Sequence, residues 1–176
     1  MPKLYFKYGA MNSSKSANAL MVKFNYEEQG YRVALLKPSI DDRDGTEVVK
    51  SRIGLEQRCY VIDEDMNLLD WYDAHREYQV LIVDEAQFLT PEQVEQLKDL
   101  AVDEIPVLCF GLKTDFQTKM FPASKRLFEL ADSLSEIKSV CRCGRKAEVN
   151  ARIHDGAIIK EGKQILIGGN ERYVGM

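Results

Sequence analysis

Gly9, Lys15 and Ser16 stand at the spacing of a phosphate-cradling loop. The segment Gly9-Ala10-Met11-Asn12-Ser13-Ser14-Lys15-Ser16 follows a short apolar run and opens a helical pattern. That is the strand–loop–helix context in which G-x-x-x-x-G-K-[ST] carries meaning. Backbone N–H groups of such a loop face the ligand, and the helix dipole sets partial positive charge beside a polyphosphate. Lys15 would reach the β/γ-phosphates and Ser16 would hold Mg²⁺. Ser14 occupies the place of the second glycine. If the turn needs positive φ there, serine costs roughly 1 kcal/mol. A Gly/Ser-rich turn capping an ordinary helix is the alternative.

A second constellation is Asp84-Glu85, which ends the apolar run Val80-Leu81-Ile82-Val83. In phosphate-loop enzymes such an aspartate orders Mg²⁺, and an adjacent glutamate can take a proton from the attacking nucleophile. A solvated strand end is the bland alternative, and the loop at Gly9 weighs against it. A third is Cys141-x-Cys143-Gly144, half of a metal knuckle, since tetrahedral zinc needs four ligands. Cys59 and Cys109 lie far from it in sequence. His154 reads as a surface residue, and two free thiols are an equal alternative to a metal.

These residues need elements to position them. Apolar runs at 4–8, 32–37, 79–83 and 107–112 read as strands. Helical periodicity covers 15–29, with Ala17, Leu20, Met21 and Phe24 on one face, then 68–77 and 124–131. Thr90-Pro91-Glu92-Gln93 is a capping box with proline at the first helical position, and Val94, Leu97 and Ala101 continue that helix. Near-continuous apolar strands alternating with helices predict a parallel sheet covered on both faces. Its ligand would sit at the carboxyl ends of the strands, where Gly9, Asp84 and Gly111 fall. From Cys141 the texture changes to short β-like pieces, so the expected division is 1–140 and a small β-rich appendage, 141–176.

The 176 residues suit one such domain with an appendage. A net charge of −4 argues against a nucleic-acid binder. No apolar run approaches the roughly 18 residues of a membrane span. A strand that begins by Leu4 leaves no room for a secretory leader. Four cysteines then suggest a reducing, cytoplasmic setting.

The chain resembles the type II, cellular-type thymidine kinases, in their bacterial branch, over its whole length. Seven ordered blocks carry the resemblance: Tyr8 to Ser16, Ile40-Asp41-Asp42-Arg43, Ser51 to Gly54, Asp84-Glu85-Ala86-Gln87-Phe88, Gly111 to Phe116, Cys141 to Ala147, and Ile167 to Tyr173. It implies a P-loop NTPase-like (RecA-like) α/β fold with a zinc-ribbon-like lasso, acting on thymidine with ATP and Mg²⁺ in nucleotide salvage. Glu85 would be the general base on the thymidine 5′-hydroxyl, and Arg43 would add positive charge near the transferring phosphoryl group. Gly9 to Ser16 and Asp84 to Gln87 would hold ATP, with Ser16 and Asp84 serving Mg²⁺. Met11, Phe88, Leu112, Phe116, Phe121, Ile167, Gly168 and Tyr173 would enclose the thymidine. The resemblance further implies a homotetramer inhibited by thymidine triphosphate, and Zn²⁺ ligands of which only Cys141 and Cys143 are found here.

Two other readings stand beside it. Ser14 and the half zinc site allow a catalytically weakened nucleotide binder of the same fold. Asp84-Glu85-Ala86-Gln87 also suits a helicase-like ATPase, which a single acidic domain disfavours.

Overall fold

Val80–Val83 is buried along its whole length, as a strand covered on both faces must be. The computed structural model describes residues 3–40, 47–168 and 172–176. In chain order the elements are β1 (Leu4–Tyr8), α1 (Lys15–Glu28), β2 (Val33–Pro38), β3 (Val48–Lys50), β4 (Glu56–Arg58), β5 (Tyr60–Ile62) and α2 (Leu68–Asp73). There follow β6 (Val80–Val83), α3 (Pro91–Asp103), β7 (Val107–Gly111), α4 (Pro122–Leu130), β8 (Ser133–Glu136), β9 (Asn150–His154), β10 (Ala157–Ile159) and β11 (Tyr173–Gly175). One sheet runs β5-β2-β6-β7-β1-β8, with every pairing parallel.

Strand side chains alternate between faces, so each buried run feeds two cores. Leu81 and Val83 join Leu4, Phe6, Leu97 and Leu127 on the face covered by α3 and α4. Val80 and Ile82 join Ala19, Leu20, Leu35 and Phe110 on the α1 face. The capping box forms as expected: Thr90 Oγ1 accepts the Gln93 N–H, and Gln93 Oε1 accepts the Thr90 N–H. Because the strands are parallel, Gly9, Asp84 and Gly111 come to one edge of the sheet. Beyond it lies a small antiparallel sheet, β10-β9-β11.

The structure departs from the sequence reading in four places. Met21 and Phe24 are 53% and 60% exposed rather than core-facing, because the small Ala17 and Ala19, with Leu20, bring α1 against the sheet. The helix expected to reach residue 77 stops at Asp73. His75 explains this: its Nδ1 bonds the Trp71 carbonyl at 2.6 Å, and its ring stacks on Trp71. The helix expected from Ser124 starts at Pro122, with proline in the first turn. The short strands β3, β4, β5 and β8 carried no sequence signal, since Glu56-Gln57-Arg58, for example, is exposed throughout.

Candidate active site

Glycine holds the loop 9–16 at a point where no side chain fits. A Cβ on Gly9 would lie 2.4 Å from Ser13 Oγ and 2.5 Å from the Ile137 carbonyl. The turn then passes through two left-handed residues, Asn12 at φ 68° and Ser14 at φ 60°. Serine at residue 14 therefore sits where glycine is favoured. Lys15 curls over the loop, donating to the Ala10 carbonyl at 2.8 Å and to Ser13 Oγ at 3.2 Å. Ser16, in the first turn of α1, donates from Oγ to Asp84 Oδ2 at 2.6 Å.

Asp84 is 3% exposed. Burial pushes its carboxyl up to about 7, and the neighbouring Glu85 charge adds to this, while the Ser16 hydroxyl opposes it. A cation would favour the charged form. A hydroxyl and a carboxylate this close form a hard-oxygen donor set that suits Mg²⁺. Glu85 itself takes a left-handed backbone at φ 52°, which swings the chain from β6 into a short 3₁₀ turn, Ala86–Phe88. Gln87 is buried beneath it, donating from Nε2 to Glu85 Oε2 at 2.6 Å and accepting the Leu112 N–H at 3.1 Å. A Cβ on Gly111 would fall 2.7 Å from Gln87 Oε1, so glycine is what leaves room for this carboxamide.

Glu85 and Gln87 open into a cavity whose empty space, counted with its open mouth, is about 470 Å³. Met11, Phe88, Leu112, Phe116, Phe121, Ile167, Gly168 and Tyr173 all line it. Phe88 and Phe121 meet edge to face at 6.0 Å. Phe116 packs beneath the Arg152 guanidinium at 3.8 Å. Arg43 lies outside the described residues, as do Asp41, Asp42 and 169–171, so the site is given without them.

The structure brings in residues that the sequence did not mark. Asn150 and Arg152 come from the same face of β9, and both are buried. Arg152 donates to the Lys163 carbonyl at 2.7 Å and to the Tyr173 hydroxyl at 2.9 Å, while that hydroxyl donates to the Leu166 carbonyl. Asp115 takes the Gln117 and Lys119 N–H groups and the Gln164 side chain, closing the loop that carries Phe116. The one available signal was the polar alternation Asn150-Ala151-Arg152 in a β-like stretch.

Cys141 and Cys143 lie in a tight turn closed by the Cys141 N–H on the Arg145 carbonyl and the Gly144 N–H on the Cys141 carbonyl. Among the described residues no group of three or more His, Cys, Asp or Glu could hold a metal. The two thiols do not by themselves fit zinc, which takes four ligands. No helix among the described residues is long and apolar enough to cross a membrane.

A family model described as thymidine kinase matches residues 2–176. A thymidine kinase of Haemophilus influenzae is 46% identical over 180 residues, covering 99% of this chain and 93% of that protein. One from Streptococcus thermophilus is 49% identical over 179 residues, covering 99% and 90%. One from Novosphingobium aromaticivorans is 47% identical over 181 residues, covering 100% and 94%.

Proposed function

We propose that this chain, which belongs to the thymidine kinase family, works in the cavity beside Glu85, with that carboxylate as general base. The enzyme moves the γ-phosphate of ATP to the 5′-hydroxyl of thymidine. One observation carries the site assignment: Glu85, the phosphate-loop residue Met11 and the aromatic wall of Phe88, Phe116, Phe121 and Tyr173 line one continuous cavity. A flat pyrimidine suits such a wall. With its base there, the sugar hydroxyl would lie toward Glu85 and the loop.

An alcohol is a poor nucleophile at neutral pH, so a carboxylate held against the hydroxyl would accept its proton as the phosphoryl group arrives. Gln87 holds that carboxylate in place through the 2.6 Å hydrogen bond. Lys15 and the loop amides would take the phosphates, and Ser16 and Asp84 would hold Mg²⁺, which when bound offsets phosphate charge. Residues 141–176 would act as a cover on the 1–140 body. Their segment 164–168 lines the cavity, and closing it would keep water from the γ-phosphate.

The same reading includes feedback by thymidine triphosphate, whose base would enter the aromatic cavity while its phosphates reached toward the loop 9–16. It includes a cytoplasmic homotetramer, which the family resemblance implies. The family model and the relatives, which are thymidine kinases over nearly the whole chain, do not favour the weakened-binder alternative.

Glu85→Gln tests the assignment. Turnover should fall about 10²–10⁴-fold while affinity for a non-hydrolysable ATP analogue stays within about twofold of wild type. A variant that keeps more than half the wild-type kcat would remove Glu85 from the role of base.

A further inference from the structure

Asn150 is 5% exposed and uses both ends of its carboxamide. Its Oδ1 accepts the Met11 N–H of the phosphate loop at 2.6 Å, and its Nδ2 donates to the Thr114 carbonyl at 2.9 Å. Met11, Thr114 and Asn150 all line the cavity. The strand rung that carries Asn150 pairs it with Gly175. A Cβ on Gly175 would come within 2.5 Å of the Met11 carbonyl, so β11 abuts the loop through bare backbone. Ser139 adds a third tie, donating from Oγ to the Asn12 carbonyl at 3.0 Å.

We infer that Asn150 is a positioning residue that couples the phosphate loop to the nucleoside cover, so that each substrate binds more tightly when the other is present. The physical reason is the shape of the group. A carboxamide is planar, with donor and acceptor at a set separation, so both bonds hold only when Met11 and Thr114 keep one distance. ATP on the loop orders Met11, and through Asn150 that order reaches β9 and the loop leading to Phe116. Thymidine drawn under the cover orders the same group from the other side. The ordering cost is then met once for two ligands, which is positive coupling. Thermodynamic linkage requires it to be reciprocal.

The inference rests on the reading that the loop takes ATP and the aromatic cavity takes thymidine, and the test separates the two. Calorimetric titration would give the Kd of thymidine with and without saturating adenylyl imidodiphosphate and Mg²⁺, and the Kd of that analogue with and without saturating thymidine. Wild type should show about five- to tenfold tightening in both directions. Asn150→Ala removes both bonds. Asn150→Asp keeps the shape and the acceptor for Met11 but sets a carboxylate against the Thr114 carbonyl. In both variants, shown folded by their melting transitions, the tightening should shrink to within about twofold.

Tightening that survives in both variants, or that is absent from wild type, overturns the coupling. Lys15→Ala and Phe116→Ala are the controls for the underlying reading. Lys15→Ala should weaken the analogue alone, and Phe116→Ala should weaken thymidine alone. Failure of these controls would overturn the site assignment itself. Their success with unchanged coupling in the Asn150 variants would overturn only the role of Asn150.

Discussion

Gln87 and Glu85 are joined by a 2.6 Å hydrogen bond, and the far end of the Gln87 carboxamide is fixed by the Leu112 N–H. Glu85, the proposed base, is thus oriented from the residue that follows β7. Gln87→Ala should lower kcat about tenfold or more, as loss of an orienting partner does, with little change in the KM for ATP. Gln87→Glu should move the acid limb of the pH–rate profile upward, because two adjacent carboxylates retain a proton between them. An unmoved limb in Gln87→Glu would show that the pair does not act together.

Ser14→Gly should stabilise the protein. The backbone at residue 14 is left-handed, and its side chain makes no capping hydrogen bond that glycine would lose. Relief of the steric cost is about 1 kcal/mol at most, or a rise of roughly 2–4 °C in Tm for a chain of this size. A lower Tm would mean that serine is favoured there for a reason the backbone does not reveal.

Arg152 lies between Phe116 and Tyr173, its guanidinium 3.8 Å and 5.4 Å from the two ring centroids, and holds the Lys163 carbonyl. Arg152→Met keeps bulk but loses both the fork of donors and the cation–π contacts. The KM for thymidine should rise about tenfold or more while the KM for ATP changes little. Steady-state kinetics with each substrate varied would decide it. Equal effects on both would reduce Arg152 to a general packing residue.

Asp132 joins the start of β1 to α3. Its carboxyl is held below the usual range first by the hydrogen bond from Lys98 and then by the Leu4 N–H, with burial opposing. A depressed folded pKa adds stability above the unfolded value, near 4, and that stability is lost as pH falls through the folded value. The side chain is 35% exposed, so screening keeps the contribution to about 1 kcal/mol or less. Asp132→Asn should therefore lower Tm by a few degrees at pH 7 and have little effect well below pH 4. A difference of equal size at both pH values would assign the effect to geometry instead of charge.

The parts of this protein legible in the sequence are those built from residues near one another in the chain. Gly9 to Ser16 form a loop because a strand, a turn and a helix follow in order, and Asp84-Glu85 ends a strand because four apolar residues precede it. Backbone geometry and hydrophobic periodicity act over a few residues, so composition and spacing reveal them. The parallel sheet followed from the same logic, and it alone brings Gly9, Asp84 and Gly111 to one edge.

Tertiary structure decided the rest. Met11 and Asn150 are 139 residues apart, and Gln87 and Leu112 are 25 apart. No local rule marks either pair. A buried carboxamide is satisfied by whatever the fold brings to it, so Asn150 could be recognised only once β9 had been laid against the loop 9–16. Met21 and Phe24 make the same point in reverse, since helical spacing placed them on an apolar face and the fit of Ala17 and Ala19 against the sheet turned them outward. Periodicity gives a helix its stripe, but which edge of the stripe is buried depends on how closely the backbone can approach its neighbour.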